Sequence, residues 1–593
     1  MDRQSTIGFI LIFVVLVVWM WLNSPPPRTQ KETKAVNTLQ TKDSSVTVQQ
    51  KALGTKEEPQ ADPYGKYFSA RVNGTEKVIT IETDSYFAEV SSKGAVIRKW
   101  ELKKFKTWDG KPAQLVDYNN KGDFTVLLTT TDGRVINTKD LYFDVQAPTK
   151  HVLIEENFEF ELICTLPASN GGQLVKKMKF RNGEYGFEAE IQLLNLNSVI
   201  ANYQYEIAWE HGIRYAEHNS VDESGFAAAY AFAANELTEI DAAKVDKKEQ
   251  KDFSGKIDWV ATRNKYFAVA LIPINSVSDG AYIEGERRPM PDDGVLESYG
   301  IAIKMSYKGE ASEKNNFKIF LGPLQHSELK SYGIGLENIM SLGWAWLIRP
   351  ISEYIMLPVF TAIHYVVPNW GIVIIIFSIL IKVVLHPLSK KQMKSMKRMQ
   401  KLQPLMDEIR EKYKDDPQKM NQSIMNLYKE YGVNPAGGCL PLLLQMPIMY
   451  ALYSVFRGAI ELRQASFFGW ITDLSVPDVV YRLSFKLPII GIQDISGIAL
   501  LMGLTMFISQ KMTVKDPRQK NMIWMMPIMM TLLFNGLPSG LNLYYAVFNI
   551  LAIGEQILIK NQDDDEPLRK VEPKKKSHGG IFKFAKDMPR LKK

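Results

Sequence analysis

The stretch WGIVIIIFSILIKVVLHPL, residues 370–388, decides the fold class. It is apolar over a length that matches the roughly 20 residues needed to cross a bilayer core, yet Lys382 stands inside it. A lysine near the centre of a membrane helix costs roughly 2.5 to 3.5 kcal/mol to insert, so it normally faces protein or a wet cavity and marks a functional position. At 1.5 Å per residue Lys382 lies about 18 Å along the helix from Trp370, past the bilayer middle. Two readings stand. The side chain snorkels to the nearer headgroups, or it lines a hydrated groove.

The segment that follows is strongly basic: residues 389–436 hold eleven Lys and Arg, beginning at Lys390 and Lys391. It reads as a helical hairpin, about 405–413 and 417–431, with Asp416 as N-cap and Pro417 at the first helical position. Met393, Met396, Met399, Met406, Met420 and Met425 repeat at near-helical spacing. Unbranched thioethers either adapt to varied apolar clients or pack the hairpin helices on each other. The run 390–401 suits anionic lipid.

Four further apolar segments follow, at about 437–456, 495–509, 522–535 and 537–559. With the apolar runs 7–22 and 370–388, they predict six spans. The hairpin, the loop 511–520 and the tail beyond 560 are basic and alternate, so the positive-inside rule makes them cytoplasmic together with both termini. The later spans carry Gln445, Thr505, Ser509, Thr531, Asn535, Asn542 and Asn549, and Ser378 lies one helical turn before Lys382. Such residues serve as glue between helices, or with one cation they line a groove whose field favours acidic or polar guests.

Residues 1–23 read as an uncleaved signal-anchor, because no Ala-x-Ala-like site follows the apolar run. Residues 24–63, rich in Lys, Thr, Gln, Ser and Glu, read as a disordered linker. Residues 64–335 change to short alternating runs broken by Asn73-Gly74, Asp132-Gly133 and Asn182-Gly183, which predicts a mostly antiparallel β sandwich outside the membrane. The Ala-rich stretch 226–237 reads as a helix within it. Residues 341–367 read as an amphipathic helix in the headgroup region, with Trp344, Trp346, Tyr354 and Ile355 on one side and Arg349, Ser352 and Glu353 on the other. The fold class is therefore an α-helical membrane protein, with its core over 368–560 and a large extracytoplasmic all-β sandwich.

The net charge of +7 gathers at the ends of apolar spans and reads as a topology signal, not a DNA-binding surface. The tail 561–593, with Lys574, Lys575, Lys576, Lys583, Lys586, Arg590, Lys592 and Lys593, is a solvated run suited to the phosphates of ribosomal RNA. Of the two cysteines, Cys164 falls in the β domain and Cys439 at the mouth of a span, so no disulfide is expected. No phosphate loop, His-Glu-x-x-His helix or Gly-x-Ser-x-Gly elbow occurs. The seven histidines, His211 and His218 among them, are dispersed, so no catalytic site, metal or cofactor is expected.

Asn369-Trp370-Gly371, Pro387-Leu388, Gln403-Pro404, the run from Val433-Asn434-Pro435 through Gln445-Met446-Pro447-Ile448, Glu461-Leu462-Arg463-Gln464-Ala465, Gln510-Lys511-Met512 and Pro538-Ser539-Gly540-Leu541 together resemble the YidC-type membrane protein insertases. The β domain resembles the β-supersandwich of that family in bacteria with two membranes, chiefly at Trp259-Val260-Ala261 and Lys265-Tyr266-Phe267. The resemblance implies five core helices around a hydrophilic groove, open to cytoplasm and lipid and closed outside. It implies a non-enzymatic insertase and folding chaperone of the bacterial inner membrane, functional as a monomer. Its partners would be nascent membrane proteins, the Sec translocon and, through tail and hairpin, the ribosome. Carried over, Lys382 is the groove cation, Ser378 its neighbour, and Met446 and Pro447 contact the client. The family usually has arginine at the cation position; Lys382 offers a point charge in place of a two-pronged guanidinium. The rival class is a secondary transporter of a small solute, although no inverted repeat is visible among the spans.

Overall fold

The computed structural model describes residues 63–117, 119, 121–291, 293–433, 440–487, 491–513, 520–561 and 570. The signal-anchor, all but the last residue of the linker, most of the basic tail, Cys439 and most of the loop 511–520 lie outside the described residues.

Alternating strands build a β domain of three sheets, of nine, six and five strands. Gln173–Arg181 shows why: Leu174, Met178 and Phe180 point inward and are fully buried, while Lys177 pairs with Glu190 across the sheet at 2.9 Å. Its antiparallel partner is Gly186–Leu194. The Asn182-Gly183 turn joins them, and Gly183 takes a φ of 81° that a side chain would resist. All three sheets contribute to one hydrophobic core, in which Trp100, Trp209 and Trp259 are wholly buried. Cys164 is a free thiol within that core.

The stretch 226–237 is not a helix. It contains the strands Ala228–Ala233 and Glu236–Ile240, paired antiparallel. The first is buried on nearly every residue, and Phe232 stacks on Trp259 at 5.0 Å. A strand covered on both faces loses its polar alternation, and its apolar run then looks like a helix.

After the β domain a short helix, Ile348–Ile351, passes through a π turn, Ser352–Met356, into α1, Leu357–Val366. Pro358 has no N–H to return to the carbonyl four residues back, and the wider turn accommodates the break. The polar face expected in water is turned inward instead. Ser352 and Glu353 are buried, Glu353 lies 3.4 Å from each of His326, Lys330 and Arg349, and Arg349 donates to the carbonyls of Glu337 and Met340. Trp344, Trp346, Tyr354 and Ile355 are exposed.

The remaining helices are α2 (Trp370–Lys401), α3 (Gln403–Lys412), α4 (Pro417–Glu430), α5 (Leu440–Gly458), α6 (Gly497–Thr513), α7 (Lys520–Phe534) and α8 (Ser539–Asn561). Among the described residues, α2 and the Ser539–Leu558 part of α8 are long and apolar enough to cross a membrane. Ile523–Phe534 in α7 is a shorter apolar helix. α8 packs on α2, α5 and α6, and α6 packs on α7. Helices α3 and α4 form a hairpin around Met406, Leu427 and Tyr428, and the Asp416 carboxylate caps α4 by accepting from the Lys419 N–H at 3.1 Å.

Candidate functional site

Helix α2 changes character along its length. Near Trp370 it is buried at Gly371, Val373, Ile374, Phe377 and Ser378. There it packs into a plug with Phe360, Phe456 and Tyr544; the Phe360 and Phe377 rings lie 4.5 Å apart. One turn beyond Ser378 the packing opens into a cavity of about 730 Å³ between α2, α5, α6 and α8, running from Lys382 and Phe548 to Lys397, Gln400 and Lys511. Pro387 does not end the helix; α2 continues through the apolar segment to Lys401.

The structure brings Lys382, Gln445, Ser509 and Asn549 together on this cavity, joined by Met393 and Met396. The other polar residues of the spans satisfy their own helices or neighbours and lie off it. The Ser378 hydroxyl donates to the Ile374 carbonyl at 2.7 Å and is fully buried. Thr505 donates to Met502 and Thr531 to Pro527, each at 2.8 Å. Asn535 accepts from Ser496 N–H at 2.9 Å and donates to Asp494 at 2.7 Å, fastening the start of α6. Asn542 donates to Phe534 at 3.1 Å. Thr531 also presses on Gly503, where any Cβ would overlap its hydroxyl, so these small residues serve close packing of α6 on α7.

Met446 is exposed on α5 and Pro447 half-buried beside it. Met399 and Met406 pack in the hairpin core, Met420 is half-buried and Met425 exposed. Met393, Met396 and Met399 belong to α2, not to the hairpin helices.

The residue that sequence reasoning missed is Glu555 on α8. Its Oε2 lies 2.7 Å from Lys382 Nζ, with side-chain exposures of only 9% and 12%. Its Oε1 is approached at 2.7 Å by His386 Nδ1, without hydrogen-bond alignment. Lys382 Nζ also stands 4.8 Å from the centre of the Phe548 ring. Next to Glu555, Gln556 donates to Ser509 at 3.1 Å, while the Gln556 and Gln510 carbonyl oxygens are buried without a hydrogen-bond partner. The signal was available: an acid inside an apolar span marks a site by the same rule that marks Lys382.

At the Trp370 end the helices are joined to the β domain by ions. Arg457 of α5 meets Asp222 at 2.7 Å, and Lys265 meets the other oxygen of Asp222 at 2.8 Å. Arg463, 2% exposed, enters the β domain to meet Glu217 at 2.6 Å beside the Tyr266 ring. His211 and His218 line a cleft in the β domain with Trp108 and Tyr215. His211 contacts Asp123 at 3.0 Å, and together with Glu210 these are the His, Cys, Asp or Glu residues close enough to share a metal ion among the described residues. The Glu210 carboxylate is already taken by the Asn137 amide at 3.0 Å and has Lys139 3.6 Å away, which leaves the group a hydrogen-bond cluster.

Two family models match the chain: the YidC periplasmic domain over residues 78–353 and the 60Kd inner membrane protein over residues 362–566. The chain is 39% identical to the membrane protein insertase YidC of Chlorobaculum parvum, over 95% of this chain and 96% of that protein. It is 38% identical to that of Chlorobaculum tepidum over the same shares, and 34% identical to that of Chloroherpeton thalassium over 96% and 97%. Among solved structures it resembles an active YidC insertase with its first transmembrane domain resolved, at 20% identity and a TM-score of 0.35, covering 83% of this chain and 95% of that one. A putative aldose 1-epimerase from Escherichia coli K12 aligns with 42% of the chain at 8% identity and a TM-score of 0.26.

Proposed function

The chain belongs to the YidC family of membrane protein insertases, and from that premise we propose that it inserts clients through the cavity around Lys382. As a member of the family it is an inner-membrane protein with a periplasmic β domain and a helical C-terminal region, and it acts on newly made membrane proteins without covalent chemistry. In our reading α2, α5, α6, α7 and α8 cross the membrane with the N-terminal apolar run as a sixth span. The hairpin, both termini and the wide end of the cavity then face the cytoplasm.

The observation that carries the mechanism is the change along α2 from a packed plug to an open cavity at Lys382, where polar side chains stand among methionines and other apolar ones. A polar client segment entering from the hairpin side reaches partway across the bilayer among Lys382, Gln445, Ser509 and Asn549, which supply the hydrogen bonds it would lose in lipid. The plug on the Trp370 side keeps ions from leaking. The client's apolar segment then leaves into lipid past Met446 and Pro447, and its own partitioning drives the step. The buried carbonyl oxygens of Gln510 and Gln556 fit this reading, because an unpaired buried acceptor costs about 1 to 3 kcal/mol and calls for a donor from water or client. The hairpin methionines, the basic run 390–401 and the tail extend the reading to client capture, anionic lipid and the ribosome, and the family resemblance extends it to work alone or beside the Sec translocon.

The test is insertion of a single-span client with an acidic external tail into liposomes holding the purified protein, with Lys382, Lys382→Arg, Lys382→Ala and Lys382→Glu compared. Arg is expected to work, and Ala and Glu to fall by about tenfold or more if the cation contributes about 1.4 kcal/mol or more. Insertion by the Ala variant at the rate of the parent would remove the cation from the mechanism.

A further inference from the structure

Lys382 is not a bare cation. Its ammonium is held between the Glu555 carboxylate at 2.7 Å and the Phe548 ring at 4.8 Å. His386, four residues further along α2 and so on the same face, reaches the second oxygen of the same carboxylate at 2.7 Å. All of them except His386 line the cavity. A client carboxylate that approaches Lys382 therefore finds its place taken. It gains only the difference between its own pairing and the one that Glu555 already makes.

We propose that Glu555 is a specificity-determining residue of the groove: it occupies Lys382 at rest, makes acidic client groups compete for it, and when displaced offers a carboxylate to basic ones. The groove then takes client residues of either sign, the acid at Lys382 and the base at Glu555, where a lone cation would favour acids and repel bases. This rests on the insertase reading above.

The experiment uses the full chain in liposomes with three single-span clients that differ at one position of the translocated segment, Asp, Lys or Asn. Glu555→Gln keeps the side-chain shape and removes the competing charge. It is expected to raise insertion of the Asp client relative to the Asn client by about fivefold, the ratio that corresponds to an ion pair at the upper end of commonly measured values. It is expected to lower the Lys client relative to the same reference. Glu555→Asp keeps the charge but draws it back, so both shifts should appear with the same signs and smaller size. A change of all three clients by one common factor, or a fall of the Asp client relative to Asn, would overturn the proposal and leave Glu555 as a fastening between α2 and α8. If the parent protein inserts none of the clients, the insertase reading of the cavity fails and takes this assignment with it, an outcome distinct from equal shifts of all three clients.

Discussion

The 2.7 Å contact between Lys382 and Glu555 ties α2 to α8 in the middle of two apolar runs. Each is an ionisable residue in an apolar run, which is enough to mark it; their contact depends on how α2 packs against α8, and no local pattern reports that. The missed acid matters for stability as well as for selection. Removing one member of a largely buried pair strands the other, so Lys382→Met alone is expected to destabilise the protein by about 3 kcal/mol, and Lys382→Met with Glu555→Gln by clearly less. Unfolding in detergent with all variants side by side measures this. A loss in the double variant equal to the sum of the losses in Lys382→Met and Glu555→Gln taken singly would mean that the two side chains do not interact in the folded protein. Ser378, Thr505, Thr531 and Asn542 illustrate the opposite ambiguity. Hydroxyls and amides in a span look the same in sequence whether they line a cavity, return a hydrogen bond to their own helix or, like Asn542, fasten it to the end of the preceding one.

At the scale of elements, local chemistry was readable wherever a turn or a cap enforces it. Asn182-Gly183 turns a hairpin, and Asp416 followed by Pro417 starts α4. Replacing Asp416 by Ala should cost about 1 kcal/mol, as loss of an N-cap does. Hydrogen exchange over Pro417–Glu430 should accelerate about fivefold while the β domain stays unchanged; exchange at the parent rate would show that tertiary packing, not the cap, fixes this helix. The misread stretch 226–237 and the unforeseen partners of the helix after the β domain share one reason. Ala228–Ala233 and the Ile348–Val366 region each have a face whose covering comes from distant chain. Alanines read as helix formers until sheets enclose them, and Glu353 reads as part of an outer polar face until His326 and Lys330 of the β-domain side meet it.

For the molecule as a whole, the decisive contacts join the β domain to the helices, and they are the least legible, being formed by single charges far apart in sequence. Burial alone would raise the Asp222 carboxyl, but Lys265 and Arg457 outweigh it and hold it below the usual carboxylate range. A carboxyl depressed in the folded state stabilises above its unfolded value, and the contribution disappears as pH falls through the folded one. The joint should therefore persist at neutral pH and weaken below about pH 4, near the ordinary aspartate value. Limited proteolysis between β domain and helices against pH checks this. Asp222→Asn should show the weakened joint at every pH, and an unchanged acid transition in that variant would assign the effect to another group. The pair at the centre of the groove has a consequence of a different kind. Each elementary charge moved through the full membrane voltage exchanges about 2.3 kcal/mol per 100 mV. Since the charges of Lys382 and Glu555 cancel, the resting pair is almost silent to voltage, and at that depth the energised membrane does its work on the charges of the passenger.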